Sequence, residues 1–420
     1  MKHRTRRLST LVAFGLTSTL AIAACGGGEG FDDEGSGDGA AATDGGGEPG
    51  SLVMLIASSG DAETDAVEEA TAAWAEESGN EVEVRVASDM GQELAQGFAG
   101  GNPPDIFYLD AAQVAEQANA GNLYEYEAEE NDDFFPALQE AFTYDGTQWC
   151  APKDFSTLAL QINTAKWEEA GLTDDDIPTT YEELATVAET LTEGDTTGLV
   201  ISPGIDRAGA FVVGHGGWWL NEEGTEPTGA SQEVLDGLSY VQDNMAEGHF
   251  AYAGDVDAGW GGEAFGTERA AMTIEGNWIR GAMSNDYPDV DYTVAELPEG
   301  PAGPGTLLFT QCWGIADASS NQEAAVELVN HLTTPEQQLE FAEAFGVMPS
   351  RQAATDDYTE SFPDDEPFIA GGDYGRGPIN APGMGQVVAD LNSQLEGIAN
   401  ANLQQVMESF DSNAQAVLEQ

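Results

Sequence analysis

Between Arg269 and Trp278 the chain reads Arg-Ala-Ala-Met-Thr-Ile-Glu-Gly-Asn-Trp, a strand-length run that delivers a carboxylate (Glu275), an amide (Asn277) and an indole (Trp278) to one loop. Carboxylates and amides suit the hydroxyl rim of a sugar-like ring, and an aromatic face suits its weakly apolar side. Trp278 is the first candidate for such stacking, because it follows Glu275-Gly276-Asn277 at a strand end; a core role is the alternative. Trp260, in Ala-Gly-Trp-Gly-Gly, lies in a small-residue loop that leaves its face accessible, and stacking and packing stay open for it. Trp218 and Trp219 read as packing. Two carboxylates near tryptophans also describe a glycoside hydrolase, but with 76 acidic residues chance pairs are unavoidable and carry almost no information. The sequence holds no Gly-x-Ser-x-Gly elbow, His-Glu-x-x-His pair or phosphate loop, and its 4 histidines are dispersed, so neither a metal nor another cofactor is expected.

The elements that would position these groups begin at Ser51. Ser51 to Ala57 is a continuous apolar run, as expected of a buried parallel strand. Val67, Ala70 and Trp74 then fall at helical spacing up to Gly79-Asn80, Glu81 to Val86 alternates as a second strand, Met90 to Phe98 is a helix, and Pro104 to Asp110 is a third strand. This β-α-β-α-β order predicts an α/β fold with a parallel sheet that binds ligands beyond the carboxyl ends of its strands. Ser58, Ser59, Tyr108 and Asp110 sit at those ends. Further on, Thr180 with Glu183 forms a capping-box pattern, Gly198 to Ser202 is a short strand, and Asp206-Arg207 precede the apolar segment Ala208 to Gly214. For Asp206 and Arg207 a surface ion pair and a ligand contact are equally open.

The stretch Tyr144 to Leu172 combines a turn at Asp145-Gly146, β-prone runs at Trp149 to Pro152 and Thr157 to Ile162, and Asn163 as cap of a helix that ends at Gly171. Its Tyr-Asp-Gly, Ala-Pro-Lys-Asp-Phe-Ser-Thr-Leu-Ala-Leu and Ala-Gly-Leu resemble the first hinge crossing of the bacterial extracellular solute-binding proteins of sugar ABC importers, the maltose-binding-like class (family 1). The likeness continues in Asn102-Pro103-Pro104-Asp105-Ile106, in Pro178 to Leu184, in Ala270-Ala271-Met272 through Trp278, in Thr310 to Ala316 as a second crossing, and in Gly346 to Arg351 as a third.

The resemblance implies a two-lobe periplasmic-binding-protein-like fold of type II, each lobe a mainly parallel sheet flanked by helices, with three hinge crossings. It places residues 51–154 plus 313–350 in an N-terminal lobe and 155–312 plus 351–420 in a C-terminal lobe. Ser58, Ser59, Tyr108 and Asp110 then contribute polar contacts, Lys153, Asp154 and Ser156 enter the cleft with the first crossing, Trp278 stacks on a sugar, and Trp313 is either packing or the cleft floor. No aromatic cluster occurs near Pro378 to Met384, which argues against a long α-glucan and leaves disaccharides or other short sugars. The resemblance also sets Cys150 and Cys312 on adjacent crossing strands, where a disulfide is expected; two buried thiols are the alternative.

Met1 to Ala24 looks like an export signal, with Lys2, Arg4, Arg6 and Arg7 ahead of an apolar run. Ile-Ala-Ala-Cys at its end resembles a lipobox, which implies cleavage before Cys25 and lipidation of that residue. Residues 25–50 then read as a flexible tether, since Gly26 to Gly50 holds eleven glycines and seven acidic residues. Removing the signal leaves 8 basic against 76 acidic residues, a formal charge of −68 (8 minus 76). That charge argues against nucleic acid and against long-range capture of anions. Acids scattered through every segment, with lysine only at Lys153 and Lys166 after the signal, suit a solvated coat in a salty habitat. The expectation is a monomeric, lipid-anchored, extracytoplasmic binding protein that presents a sugar to a membrane permease and catalyses nothing. A polyamine or cation binder on the same fold, or a secreted glycoside hydrolase, are the alternatives.

Overall fold

The computed structural model describes residues 50–419; the expected export signal, Cys25 and the tether up to Pro49 lie outside the described residues. β1 (Ser51–Ile56) is hydrogen-bonded in parallel on both edges, to β2 (Glu81–Val86) and to β3 (Ile106–Asp110). A strand covered on both faces has no use for polar side chains, so its apolar run places Leu52, Met54 and Ile56 at 0% exposure. β2 alternates because it is the outer strand, and Glu81, Glu83 and Arg85 face water. Arg85 pairs with Glu83 at 2.7 Å and is the only exposed cation among the described residues. The helix Asp61–Ser78 joining β1 to β2 stops at Gly79, whose φ of 77° is a left-handed value that favours glycine.

After a hairpin of β4 (Thr143–Tyr144) and β5 (Thr147–Gln148), β6 runs unbroken from Ala151 to Asn163. The sequence suggested two runs separated by polar Lys153-Asp154. The strand continues through them with an irregularity at Lys153, where the pairing with β11 shifts register, and the two side chains satisfy each other and Glu63. The later strands are β7 (Thr197–Ile201), β8 (Phe250–Tyr252), β9 (Ala270–Gly276), β10 (Tyr292–Ala295), β11 (Leu308–Ile315) and β12 (Met348–Pro349). The strands follow the order β2-β1-β3-β11-β6-β9-β7-β8. The first half of β6 pairs antiparallel with β11 and β12, and its second half with β9 and β10. Beyond β9, β7 and β8 are parallel, matching the parallel β1, β2 and β3 at the other end.

Each end of the sheet has its own core. Met54, Trp74, Tyr108, Trp313 and Phe341 pack around β1 to β3, whereas Leu160, Phe211, Trp219, Phe250, Met272 and Phe410 pack around β7 to β9. A smaller cluster of Phe135, Phe155, Leu308, Met348, Tyr358 and Phe368 lies at the junction. After Arg351 the packing is divided: Tyr358 and Phe368 stay in that junction cluster, and only from Ile379 do the helices Met384–Leu395 and Leu403–Leu418 join the second core. Cys150 and Cys312 form a disulfide with Cα atoms 5.7 Å apart across the junction of β6 and β11. Asn163 caps the following helix, accepting from the Lys166 amide at 3.0 Å. At the next helix Thr180 caps as expected, but the Glu183 carboxylate reaches one residue further back, to the Thr179 amide and hydroxyl at 2.8 Å.

Candidate functional site

Where β6 changes partners, a cavity of about 640 Å³ is lined from both ends of the sheet. On the first side, the chain leaves β1 through Ser58-Ser59-Gly60 into the helix Asp61–Ser78, which sets Glu63 in its first turn. One Glu63 carboxylate oxygen accepts from the Ser59 amide and hydroxyl, both at 2.8 Å. The other accepts from the Tyr108 hydroxyl at 3.0 Å and from Lys153 Nζ at 3.2 Å. Lys153 also touches the Asp154 carboxylate, and its ammonium lies 4.5 Å from the Tyr108 ring centre and 5.4 Å from that of Phe345. Burial works against the Lys153 charge, yet Asp154 and Glu63 hold its pKa above the ordinary lysine value. Burial likewise works against the Glu63 charge, but Lys153 and Ser59 hold its carboxyl below the ordinary range.

On the second side, the end of β9 is fixed by a chain of hydrogen bonds. The Asn277 amide donates to Ser156 Oγ at 3.1 Å, and Asn277 Nδ2 donates to the Gly346 carbonyl at 3.0 Å. Glu275, at 0% exposure, accepts from Arg207, from Trp278 Nε1 at 3.1 Å and from Ser202 Oγ at 3.4 Å. Trp278 is 38% exposed, edge-on to Phe309 at 5.0 Å, and its ring lies 5.4 Å from the Arg207 guanidinium. A Cβ on Gly276 would fall 2.2 Å from that ring, so glycine is what lets the indole lie back against the strand. With its N–H committed to Glu275, Trp278 offers the cavity a fixed aromatic surface.

Asp110, at the end of β3, and Asp206, in the first turn of the helix Ile205–Gly214, both line the cavity. Loss of solvation inside the concave site pushes the Asp110 carboxyl up, and the Asp206 charge adds to that. Asp206 is raised by the same loss of solvation, opposed by Arg207.

Of the residues expected from sequence, Ser59, Asp110, Lys153, Asp154, Ser156, Asp206, Asn277 and Trp278 line this cavity. Tyr108, Arg207 and Glu275 lie behind the lining and hold it in place. Ser58 bonds within its own turn, to the Gly60 carbonyl at 2.7 Å. Trp260 packs over Gly262 with the cluster around Phe265 and Ile279. Trp313 is packing: at 0% exposure it lies edge-on to Tyr108 in the first core. Trp218 and Trp219, read as packing from the sequence, border the cavity as well, and so do Glu63, Phe309, Phe345 and Arg376, which the sequence does not single out. Glu63 is one acid among many in its helix, and Trp218 is partly exposed where Trp219 beside it is fully buried, which the Trp-Trp pair does not reveal. Pro378, Ile379 and Met384 line it without an aromatic side chain.

Residues 69–368 match the family described as bacterial extracellular solute-binding protein. Among solved structures, the fold is similar to that of a cyclic alpha-maltosyl-1,6-maltose binding protein from Arthrobacter globiformis, at 21% identity and a TM-score of 0.77, covering 88% of this chain and 99% of that one. It is similar to the sugar-binding protein MalE from Xanthomonas citri, at 17% identity and a TM-score of 0.77, covering 88% and 97%. An ABC transporter solute binding protein from Thermotoga lettingae, bound with alpha-D-tagatose, matches at 22% identity and a TM-score of 0.72, covering 88% and 99%. At these identities the likeness is one of fold, the α/β type II architecture of periplasmic binding proteins.

Proposed function

The chain belongs to the bacterial extracellular solute-binding protein family, and from that premise we propose that it captures a short sugar in the cavity and delivers it to the permease of an ABC importer. The observation that carries this reading is Trp278, half-exposed on a cavity wall beside Asn277, with Asp110 and Asp206 among the other lining groups. An indole whose N–H is already satisfied can stack on a ring while carboxylates and amides take the hydroxyls. Lobes of residues 51–154 with 313–350 and 155–312 with 351–420 would close on the ligand, because both contact it only when shut. Cys25 would carry the lipid that holds the protein, as a monomer, at the outer face of the membrane, and no reaction would take place in the site.

The test is a thermal-shift and tryptophan-fluorescence screen of residues 50–420 in high salt against mono-, di- and trisaccharides, polyamines and divalent cations. A saturable rise in melting temperature with one sugar, a fluorescence change lost in Trp278→Ala, and recovery of the sugar unaltered are the expected results. A response confined to polyamines or cations would overturn the sugar assignment, and recovery of a cleaved sugar would move the protein to the hydrolases.

A further inference from the structure

Six arginines lie among the described residues, and five have their guanidinium engaged by the protein. Arg85 pairs with Glu83, Arg207 with Glu275, and Arg280 with Asp365. Arg269 donates to the Val256 and Asp257 carbonyls at 2.5 and 2.6 Å, and Arg351 donates to the Glu129 and Thr333 carbonyls at 2.7 and 2.9 Å. Arg376 differs. Its guanidinium lies 5.1 Å from the Trp218 ring centre on the cavity wall and makes no hydrogen bond or ion pair to any described residue. In so acidic a chain, an arginine that pairs with no described carboxylate is a feature of its placement.

The Arg376 amide donates to the Thr306 carbonyl at 2.9 Å, and its own carbonyl accepts from the Leu308 amide at 2.8 Å, so the backbone is pinned beside the start of β11. Trp218 is pinned through its carbonyl, which accepts from Thr228 Oγ1 at 2.8 Å. A guanidinium resting near an indole, with both backbones pinned, has less freedom to lose when a ligand arrives.

We propose that Arg376 is a specificity-determining residue of the cavity, donating its fork to two adjacent hydroxyl oxygens of a neutral sugar. The inference rests on the sugar reading above and adds the class of sugar. Arg376 can only donate, and the carboxyl groups of Asp110 and Asp206, which form no ion pair with any described residue, offer acceptor oxygens. Hydroxyls do both, so a neutral polyhydroxylated ligand satisfies all three groups. A sugar acid would satisfy Arg376 and bring its own negative charge towards the two carboxylates.

The experiment is calorimetric titration of the wild type, Arg376→Ala and Arg376→Lys with a panel of neutral mono- and disaccharides, their monodeoxy derivatives, and glucuronate and galacturonate. For the neutral sugar that the wild type binds, Arg376→Ala should weaken binding by about tenfold or more. Arg376→Lys should recover only part, because a point charge lacks the fork. One monodeoxy derivative should lose affinity for the wild type but lose no more for Arg376→Ala, and the unfolding midpoint of the variants should stay unchanged. Unaltered sugar affinity in Arg376→Ala would overturn the role of Arg376 while leaving the sugar reading intact. A preference for a uronate, lost in Arg376→Ala and steep in salt, would overturn the neutral class. If the wild type binds no sugar in the panel, the sugar reading fails and this inference fails with it.

Discussion

Glu63 and Lys153 form an ion pair at 3.2 Å that ties the helix Asp61–Ser78 to the strand shared by both ends of the sheet, with both side chains 5% exposed. Removing one member leaves the other buried with fewer partners, and such losses typically cost about 3 kcal/mol or more. Glu63→Gln should therefore lower unfolding stability by about 3 kcal/mol at neutral pH, read from urea unfolding. The pH dependence has a definite sign. The folded Glu63 pKa lies below its ordinary value of 4.5, so its contribution is present above that value and disappears as pH falls through the lower folded pKa. The gap between wild type and Glu63→Gln should close on acidification; a gap that stays constant would refute the pair as its source.

Trp278→Ala should weaken sugar binding by about tenfold or more by removing a stacking face. Gly276→Ala is expected to do much the same while leaving the indole in the chain, because the new Cβ would stand 2.2 Å from the ring and force it to move. Calorimetry on both variants checks this, and full affinity in Gly276→Ala would show that the ring position is immaterial.

The Cys150–Cys312 disulfide spans 162 residues. Closing a loop of that size stabilises by roughly 5 kcal/mol in the chain-entropy picture and often less in practice. The double variant Cys150→Ala, Cys312→Ala should melt well below the wild type in the absence of reductant, and the wild type should converge on it when a reductant is added.

With 76 acidic residues against 12 basic ones, self-repulsion opposes the compact state at low ionic strength. Screening shrinks from about 10 Å at 0.1 M salt to about 3 Å at 1 M. The melting temperature should rise steadily with sodium chloride over that range, and a flat profile would remove the case for a salt-adapted surface.

Much of this arrangement was legible in the residues because local chemistry and global position agree there. Ser51 to Ala57 reads as a buried parallel strand and is one over Ser51–Ile56, and Asn163 and Thr180 announce helix starts that the structure places next to them. The site was less legible. Glu275 and Arg207 carry the chemistry of ligand contacts, yet they face each other behind Trp278, because a buried carboxylate needs a cation more than the cavity does. Glu63 and Arg376 were hidden for opposite reasons: one is an acid among acids, and the other is an arginine whose meaning depends on the absence of a neighbour.

The position of Arg85 has a practical consequence. It alone among the described lysines and arginines stands exposed, while Lys153, Arg207 and Arg351 are buried and the others partly so. Among the described residues a protease that cuts after basic residues therefore meets one open target, on the edge strand β2, and any faster digestion there reports unfolding.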